Sequence, residues 1–357
     1  ITLDGGGANP HGTIANSNLL YSFSQFNIAN GDTALFQCTA CPTINNVISR
    51  VTGGNASNIQ GTLQSSVPNA NFWLFNPNGI VLSGNAQINV PAAFHLGSAE
   101  SVLAADGTPV FSTNPQTSTL TTATPAQFGF GSATGDITID GFNIIYMSSN
   151  IEIASARNMT ISNSQINTFG TLTLTAQNGI QADGVSLNSF FTSSSGLVIG
   201  DSNVTINGNI KTNDFIDNSG GTINGSATAN NNLDNTGIIT GNAVATNGTL
   251  HNGLSGAGIS IGVIGGNATA GTNIINDINS SIGGNAIANG NIENYGLIQG
   301  NATATTGSLT NGGFLLFEGF FSGTISGDAT AGTSIINGYT ISSGNPNNII
   351  PVSYTHL

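Results

Sequence analysis

Residues 300–311 have the sequence Gly-Asn-Ala-Thr-Ala-Thr-Thr-Gly-Ser-Leu-Thr-Asn, and this stretch decides the fold because it recurs. Its opening pattern, Gly-(Asn/Ser/Asp)-Ala-x-Ala, starts at Gly225, Gly241, Gly266, Gly284, Gly300 and Gly327. Eight or nine residues into each copy stands an aliphatic residue, and two positions later an asparagine: Asn235, Asn252, Asn276, Asn294, Asn311 and Asn337. Self-similarity with a period of about 20 residues is typical of repeat architectures.

This repeat predicts stacked coils made of short strands. A unit of this length cannot bury an apolar face alone, whereas successive coils stacked about 4.8 Å apart can. We therefore predict an all-β fold, a right-handed parallel β-helix (β-solenoid), with the aliphatic residues stacked in its core. The asparagines should then form an amide ladder at one corner of the coils. A low-complexity linker would lack an aliphatic position that stays in phase with the repeat.

The composition is poor in charge and rich in small polar residues. Charged residues make up 5% of the chain, and 3 Lys and Arg stand against 16 Asp and Glu, for a net charge of −13. We expect no nucleic acid partner, because neutralising phosphates requires clustered basic residues. The sequence has no apolar run of about 18 residues, so we expect no membrane-spanning helix.

Both ends of the sequence depart from an ordinary complete chain. It opens at Ile1 with neither Met nor an apolar leader, so we expect a mature or trimmed product. Residues 352–357, Val-Ser-Tyr-Thr-His-Leu, break the Asn/Gly/Thr pattern and are interpreted as a non-native tail. The natural chain is then expected to continue beyond residue 351.

The two cysteines form one Cys-x-x-Cys motif, from Cys38 to Cys41. A redox motif should open a helix in a βαβ unit, and a zinc site needs further ligands. Neither context is visible in the sequence. We favour a local disulfide in an exported protein, with free thiols as the alternative.

Four stretches near the start of the chain occur in an order typical of one family. They are residues 18–28 (Asn-Leu-Leu-Tyr-Ser-Phe-Ser-Gln-Phe-Asn-Ile), 46–54 (Asn-Val-Ile-Ser-Arg-Val-Thr-Gly-Gly), 57–63 (Ser-Asn-Ile-Gln-Gly-Thr-Leu) and 71–80 (Asn-Phe-Trp-Leu-Phe-Asn-Pro-Asn-Gly-Ile). They resemble the secretion domain of two-partner secretion exoproteins, also called the haemagglutination activity domain of the filamentous haemagglutinin family.

On this resemblance, residues 1–200 are the secretion domain, with its core motifs within residues 1–150, and residues 201–351 are repetitive β-helix coils. We expect an N-terminal cap and extra-helical β-elements on the β-helix.

The resemblance also implies export to the surface of a Gram-negative bacterium. The partner would be a dedicated outer-membrane β-barrel transporter with periplasmic POTRA domains, which recognises the N-terminal domain while it is unfolded. Coil-by-coil folding outside the cell would help to draw the chain outward. The implied function is that of a secreted adhesin or haemagglutinin, with an unidentified glycan or protein receptor.

The stretch Asn76-Pro77-Asn78-Gly79-Ile80 is the most specific of these motifs. Pro fixes φ at the second position of a turn, and Asn-Gly tolerates positive φ, so a tight turn between two strands is predicted. Two roles stay open for these residues and for Arg50: shaping the fold, which we favour, and direct contact with the transporter. For Arg50 the structural role would be a hydrogen-bond network that pins a turn. Trp73 is expected to pack in the core or cap.

We predict no enzymatic activity, no cofactor and no metal site. One acidic group has a nearby lysine but no catalytic spacing, and solvated turns explain it; it comprises Asp201, Asp214, Asp217 and Lys211. The isolated histidines His11, His95 and His251 are expected at the surface or in turns. Two alternatives stay open: a β-helical polysaccharide-processing enzyme, and a passive glycan-binding solenoid with a flat, regular Thr array.

Overall fold

A computed structural model describes most of the chain, and the described residues are 1–8, 10–114, 121–147, 149–188, 196–202, 204–253, 260–315, 319–321 and 323–338. Within these ranges every regular element is a β-strand, and the larger sheets are parallel. The predicted all-β, right-handed parallel β-helix is therefore confirmed. None of the described segments forms a helix with the length and hydropathy needed to cross a bilayer.

The chain divides into two compact units, Ile1–Asn188 and Ser189–Leu357. This division falls before residue 201, where the sequence repeat was predicted to begin. The predicted non-native tail, residues 352–357, lies outside the described residues.

In the second unit each coil contributes one short strand to each of three faces, which we name by their buried residues. The alanine face consists of Ile210–Thr212, Ala227–Ala229, Ala243–Ala245, Ala268–Ala270, Ala286–Ala288, Ala302–Ala304 and Ala329–Ala331. The asparagine face consists of Leu197–Ile199, Ile216–Asn218, Leu233–Asn235, Leu250–Asn252, Ile274–Asn276, Ile292–Asn294, Leu309–Asn311 and Ile335–Asn337. The isoleucine face consists of Val204–Asn207, Thr222–Asn224, Ile238–Ile239, Val263–Ile264, Ser281–Ile282, Leu297–Ile298 and Thr324–Ile325.

Successive strands of each face pair in parallel and in register, so equivalent residues of the repeat stack on one another. The leading aliphatic residues of the asparagine face are fully buried from Ile216 to Leu309. Both alanines of each alanine-face strand from Ala227–Ala229 to Ala302–Ala304 are also buried. Burying a Leu or Ile side chain contributes about 1.5–3 kcal/mol, and small alanines keep the coil narrow. A hairpin of Gly313–Leu315 and Gly319–Phe321 leaves this regular pattern.

The first unit has the same parallel architecture with longer strands. One sheet consists of Thr2–Asp4, Thr33–Gln37, Thr62–Ser65 and Gln87–Asn89. The second, here called the front sheet, consists of Asn18–Phe23, Asn46–Val51, Asn71–Phe75, Phe94–Gly97, Ile151–Ser155 and Leu172–Ala176, with Thr13–Ala15 antiparallel at its edge. The third consists of Ser57–Ile59, Ile80–Ser83, Ile137–Asp140, Asn143–Met147, Asn158–Thr168 and Gly179–Leu187.

Aromatic side chains fill the core of the first unit, where the second unit uses alanine and isoleucine. Phe36 lies edge-on to Tyr21 and Phe72, with ring centroids 5.1 and 4.8 Å away. Phe72 stacks in turn against Phe94 at 6.5 Å. These rings are fully buried, so large side chains form the core of this unit.

A small antiparallel sheet outside the β-helix covers the outer surface of the front sheet. This extra-helical sheet consists of Ser101–Leu103, Pro109–Ser112 and Gln127–Gly129. It encloses an apolar cluster in which Trp73 is 2% exposed and lies edge-on to Phe128, with ring centroids 5.3 Å apart. Trp73 therefore packs in a core, as predicted.

Candidate functional site

The predicted turn lies at a corner of the first unit, between the strands Asn71–Phe75 and Ile80–Ser83. The Gly79 amide donates to the Asn76 carbonyl at 3.0 Å, which closes a four-residue turn with Pro77 in its second position. Gly79 has φ +108°, a conformation that L side chains rarely adopt. The sequence Pro-Asn-Gly thus forms the kind of turn that its residues favour.

Asn76 is fully buried, and both ends of its side chain are hydrogen-bonded. Its Nδ2 donates to the Asn55 carbonyl at 2.9 Å and to Ser57 Oγ at 3.0 Å. Its Oδ1 accepts from the Asn78 amide at 3.0 Å, an interaction that stabilises the turn from within. Buried polar groups require such partners, so Asn76 shapes this corner of the folded chain.

The turn is joined to segments that come before and after it in the first unit. Asn78 Nδ2 donates to the Gly53 carbonyl at 2.7 Å. The Gly135 amide donates to the Pro77 carbonyl at 2.8 Å, and the Ile80 amide donates to the Asp136 carbonyl at 3.1 Å. Ile80 is fully buried. Pro77 and Asn78 therefore remain the accessible part of the turn.

Arg50 connects the front sheet to the extra-helical sheet. It lies opposite Phe75 in register, its Nε donates to Ser22 Oγ at 2.9 Å, and its Nη1 donates to the Ser112 carbonyl. Its guanidinium carbon lies 4.1 Å from the ring centroid of Phe111, within cation–π distance. Burial lowers the pKa of this guanidinium. Arg50 thus joins the two sheets of the folded domain through these contacts.

A cleft of about 330 Å³ lies beside the turn, and Pro77, Asn78, Glu100 and Ser132 are among its lining residues. The Glu100 carboxylate accepts from the Ser132 amide at 2.7 Å and from Ser132 Oγ at 2.8 Å. These two bonds lower the pKa of Glu100. The cleft is polar, and its one carboxylate holds the loop that forms one wall.

The asparagines of the repeat lie in one row on the asparagine face. Each Nδ2 donates to the Oδ1 of the next asparagine at 2.7–2.8 Å; the series is Asn218, Asn235, Asn252, Asn276, Asn294, Asn311 and Asn337. The first five are fully buried. The same Nδ2 atoms also donate to backbone carbonyls, for example from Asn252 to Gly262 at 3.1 Å. The ladder therefore satisfies both donors of a buried amide.

Several asparagines with equivalent roles were missed by sequence reasoning. Asn218 starts the ladder, and Ile216-Asp217-Asn218 carries the same aliphatic-x-Asn signal as the later copies. In the first unit, Asn46 Nδ2 donates to Asn18 Oδ1 at 3.0 Å, and Asn71 Nδ2 donates to Asn46 Oδ1 at 3.2 Å. The signal for this second ladder was that three of the family-like stretches begin with Asn.

The repeat contains a further, exposed ladder at the second position of Gly-Asn-Ala. The Oδ1 atom of one residue accepts from the backbone amide of its equivalent in the next coil at 2.8 Å; the accepting residues are Asn242, Asn267, Asn285 and Asn301. The Asn that most copies of the repeat carry at this position therefore connects consecutive coils at a corner.

Cys38 and Cys41 are joined in a disulfide. Within the loop that it closes, the Thr39 amide donates to Asp4 Oδ1 at 2.9 Å, and Thr39 Oγ1 donates to Asp4 Oδ2 at 2.5 Å. Gln37 Nε2 donates to the same carboxylate at 2.9 Å. The hydrogen bonds from Thr39 hold the pKa of Asp4 far below its usual range. The loop thereby holds the strand Thr2–Asp4 in place.

Two of the histidines that were predicted to lie at the surface or in turns take outward, partly exposed positions. His95 and His251 lie within strands and not in turns, because each takes the outward position between two buried residues. His95 stacks on Trp73 with ring centroids 3.6 Å apart, and its Nδ1 lies 2.7 Å from Glu152 Oε2. His251 Nε2 lies 2.6 Å from the buried carboxylate of Asp277.

Lys211 and Asp217, two members of the group singled out in the sequence, lie on different faces of the coils. Lys211 lies on the alanine face, opposite Thr228, whereas Asp217 lies on the asparagine face, opposite Asp234. Asp214 Oδ1 accepts from Asn231 Nδ2 at 2.6 Å. Within the described part of the chain, no group of three or more His, Cys, Asp or Glu residues could hold a metal ion.

Comparison with known families gives the first unit an identity. The family model described as the TPS secretion domain matches residues 6–190. This chain belongs to the two-partner secretion family. The match ends close to Asn188, the last residue of the first compact unit. Family membership implies a secreted exoprotein of a Gram-negative bacterium and a dedicated outer-membrane transporter as its partner.

This two-partner secretion chain is also similar to a heme/hemopexin-binding protein of Haemophilus influenzae (strain ATCC 51907 / DSM 11121 / KW20 / Rd). The two are 48% identical over 54 residues, which is 15% of this chain and 6% of that protein. The chain thus spans a small fraction of the length of this relative.

Proposed function

We propose that this protein is a surface adhesin of the haemagglutinin-like type, exported through a β-barrel transporter whose periplasmic POTRA domains recognise its first unit. The observation that carries the proposal is the secretion-domain match over residues 6–190, a range that contains the complete Asn76–Gly79 turn. On this proposal the first unit directs export, and the stacked coils of the second unit provide a binding surface.

The outward row of the alanine face is one surface that supports an adhesive role. It consists of Lys211, Thr228, Val244, Thr269, Ile287, Thr303 and Thr330. Because Thr alternates with larger apolar residues, the row suits a mixed polar and apolar receptor surface. A passive glycan binder is the second candidate, since Thr hydroxyls recur along the row at every second coil, and those of Thr303 and Thr330 lie on adjacent coils, spaced at the coil repeat of about 4.8 Å.

The heme- and hemopexin-binding activity named for the Haemophilus protein is not transferred to this chain, because the similarity covers 6% of that protein. An enzymatic role is not proposed either. The carboxylates near the repeat support local structure: Asp217 accepts from Ser219 Oγ at 2.6 Å, and Asp277 binds His251. Incubation of the secreted protein with a panel of acidic glycans should release no products.

Export is tested by truncation and by one substitution at the turn. Deletion of residues 1–150, or Asn76→Ala, should reduce the amount of protein in the medium and at the cell surface about tenfold or more. Asn76→Ala removes the hydrogen bonds to Asn55, Ser57 and Asn78 that form the corner. Quantitative immunoblots of periplasm, surface and medium measure the effect.

The matched control is Asn85→Ala, which changes an exposed asparagine in the next turn of the chain. It should be exported like the unsubstituted protein. Unchanged export of both the truncated chain and Asn76→Ala would exclude a role of the first unit in secretion. Agglutination of erythrocytes by the purified protein then tests the adhesive role separately.

A further inference from the structure

The buried part of the Asn76–Gly79 turn is out of reach in the folded first unit. Asn76, Gly79 and Ile80 are buried, and the polar groups of the Asn76 side chain are bonded within the chain. A partner that recognises these residues must therefore bind them before the corner has closed. This reasoning rests on the proposed function, in which a transporter recognises the turn.

The contacts that close the corner come from segments at different distances along the chain. Residues 53–57 precede the turn, so their bonds to Asn76 and Asn78 can form as soon as the turn is available. Gly97, whose carbonyl accepts from the Asn76 amide, comes later. Gly135 and Asp136 come last, after the extra-helical sheet. Because a chain is made and delivered from its N-terminus, these two residues are the final cover of the turn.

Gly135 and Asp136, which we call the docking segment, approach the turn closely, and glycine is required on both sides. A Cβ atom at Gly135 would lie 2.1 Å from the Gly79 amide nitrogen. A Cβ atom at Gly79 would lie 2.6 Å from the Asp136 carbonyl oxygen. Both distances are far inside van der Waals contact with rigid backbone, so any side chain at either position blocks docking.

The docking segment is itself held by residues that lie on either side of it. Ser98 Oγ donates to the Gly135 carbonyl at 2.8 Å and accepts from the Ala156 amide at 2.8 Å. The Asn158 amide and its Nδ2 donate to Asp136 Oδ1 at 3.0 and 3.1 Å. Docking is thereby coupled to completion of the following coil.

From this geometry we propose that docking of Gly135 and Asp136 onto the Asn76–Gly79 turn ends the contact between the turn and the transporter. The transporter can bind the turn while the chain is incomplete or unfolded. Once the docking segment closes over it, the corner belongs to the folded domain and the transporter is released. The transporter thus recognises the motif in the unfolded chain, and the same residues later form a corner of the folded domain.

The test follows the lifetime of the transporter complex with the full 357-residue chain. A photoreactive residue at Val81, an outward position next to Ile80, reports contact with a two-partner secretion transporter that exports the unsubstituted chain. After pulse labelling, Gly135→Ala should prolong the crosslinked state about tenfold, because overpacking against backbone disfavours docking. Ser98→Ala, which loosens the docking segment without a clash, should prolong it about threefold.

Gly54→Ala is the control, because a Cβ atom there has nothing within 4 Å and the residue adjoins the same corner. It should leave the lifetime unchanged. Equal lifetimes for the unsubstituted chain, Gly135→Ala and Ser98→Ala would overturn the proposal. If Gly135→Ala fails to fold altogether, Ser98→Ala decides between the outcomes. Export of the unsubstituted chain with no crosslink from any position in residues 71–83 would contradict the proposed recognition itself, and this inference with it.

Discussion

At the scale of single residues, buried asparagine amides carry much of the specificity of this protein. Asn252 is 0% exposed, accepts from Asn235 Nδ2 and donates to Asn276 Oδ1, each at 2.8 Å. An amide in the core is costly unless its donors and acceptor are satisfied. The ladder satisfies them only when consecutive coils are in register, so it selects the correct stacking over a shifted one.

Removal of one rung should therefore destabilise its neighbours. Asn252→Ala removes the side-chain acceptor of Asn235 Nδ2 and the side-chain donor to Asn276 Oδ1, at a cost of about 2–3 kcal/mol. Hydrogen exchange of the strands Leu233–Asn235 and Ile274–Asn276 measures this cost as a loss of protection. Asn247→Ala is the control, because it removes a single exposed bond, from its Nδ2 to Asn230 Oδ1, and should cost about 0.5 kcal/mol or less. Equal losses of stability in Asn252→Ala and Asn247→Ala would show that burial of the amide does not set the size of its contribution.

At the scale of elements, outward side chains join strands to the turns beside them. His251 lies in the strand Leu250–Asn252, and its partner Asp277 is 3% exposed in the turn after Ile274–Asn276. The hydrogen bond that His251 donates to Asp277 raises the pKa of His251, and the charges of Asp234 and Glu293 add to this effect. Protonated His251 therefore holds two consecutive coils together.

This pair predicts a stability that depends on pH. Because folding raises the pKa of His251, its contribution is complete below the unfolded value of about 6.5 and is lost as the pH rises through the folded value. The urea midpoint of the second unit should fall over this range. His251→Gln should remove this part of the pH dependence and behave at all pH values like the alkaline unsubstituted protein. A midpoint that falls equally in His251→Gln would assign the effect to other groups.

At the scale of the whole molecule, the second unit is a linear series of contacts between neighbouring coils. Few charges interrupt it, and strand pairing connects each coil only to those before and after it. Stability in such a series is approximately a sum over coils and their interfaces, so damage in one coil spreads over a short distance. The same property lets an exported chain add one coil at a time to a folded template.

A charge placed inside one coil tests this linear behaviour. Ala286→Asp buries a carboxylate in the narrow interior at a fully buried position, which costs about 3 kcal/mol or more. Hydrogen exchange should accelerate in Ala268–Ala270 and Ala302–Ala304 but remain unchanged in Ala227–Ala229. Ile287→Asp is the adjacent control, since Ile287 is 43% exposed, and it should leave all three strands protected. Uniform loss of protection would instead indicate one cooperative unit.

Sequence reasoning succeeded where contacts repeat at short intervals. The aliphatic-x-Asn pairs locate the inward stack and the asparagine row, because parallel coils place equivalent residues on top of one another. It failed where the intervals were uneven, as for Asn18, Asn46 and Asn71. The Trp73–His95 stack depends on the register of two strands, which no local pattern specifies.

The sequence alone determined that this chain is an all-β parallel β-helix, since its repeat has a core only when coils stack. It also located the Asn76–Gly79 turn, because Pro fixes φ and Gly accepts a positive φ. Only the tertiary structure decided how that turn is covered. The contact of Gly79 with Gly135 and Asp136 joins segments separated by the whole extra-helical sheet, and such a contact exists only after both have been placed by packing.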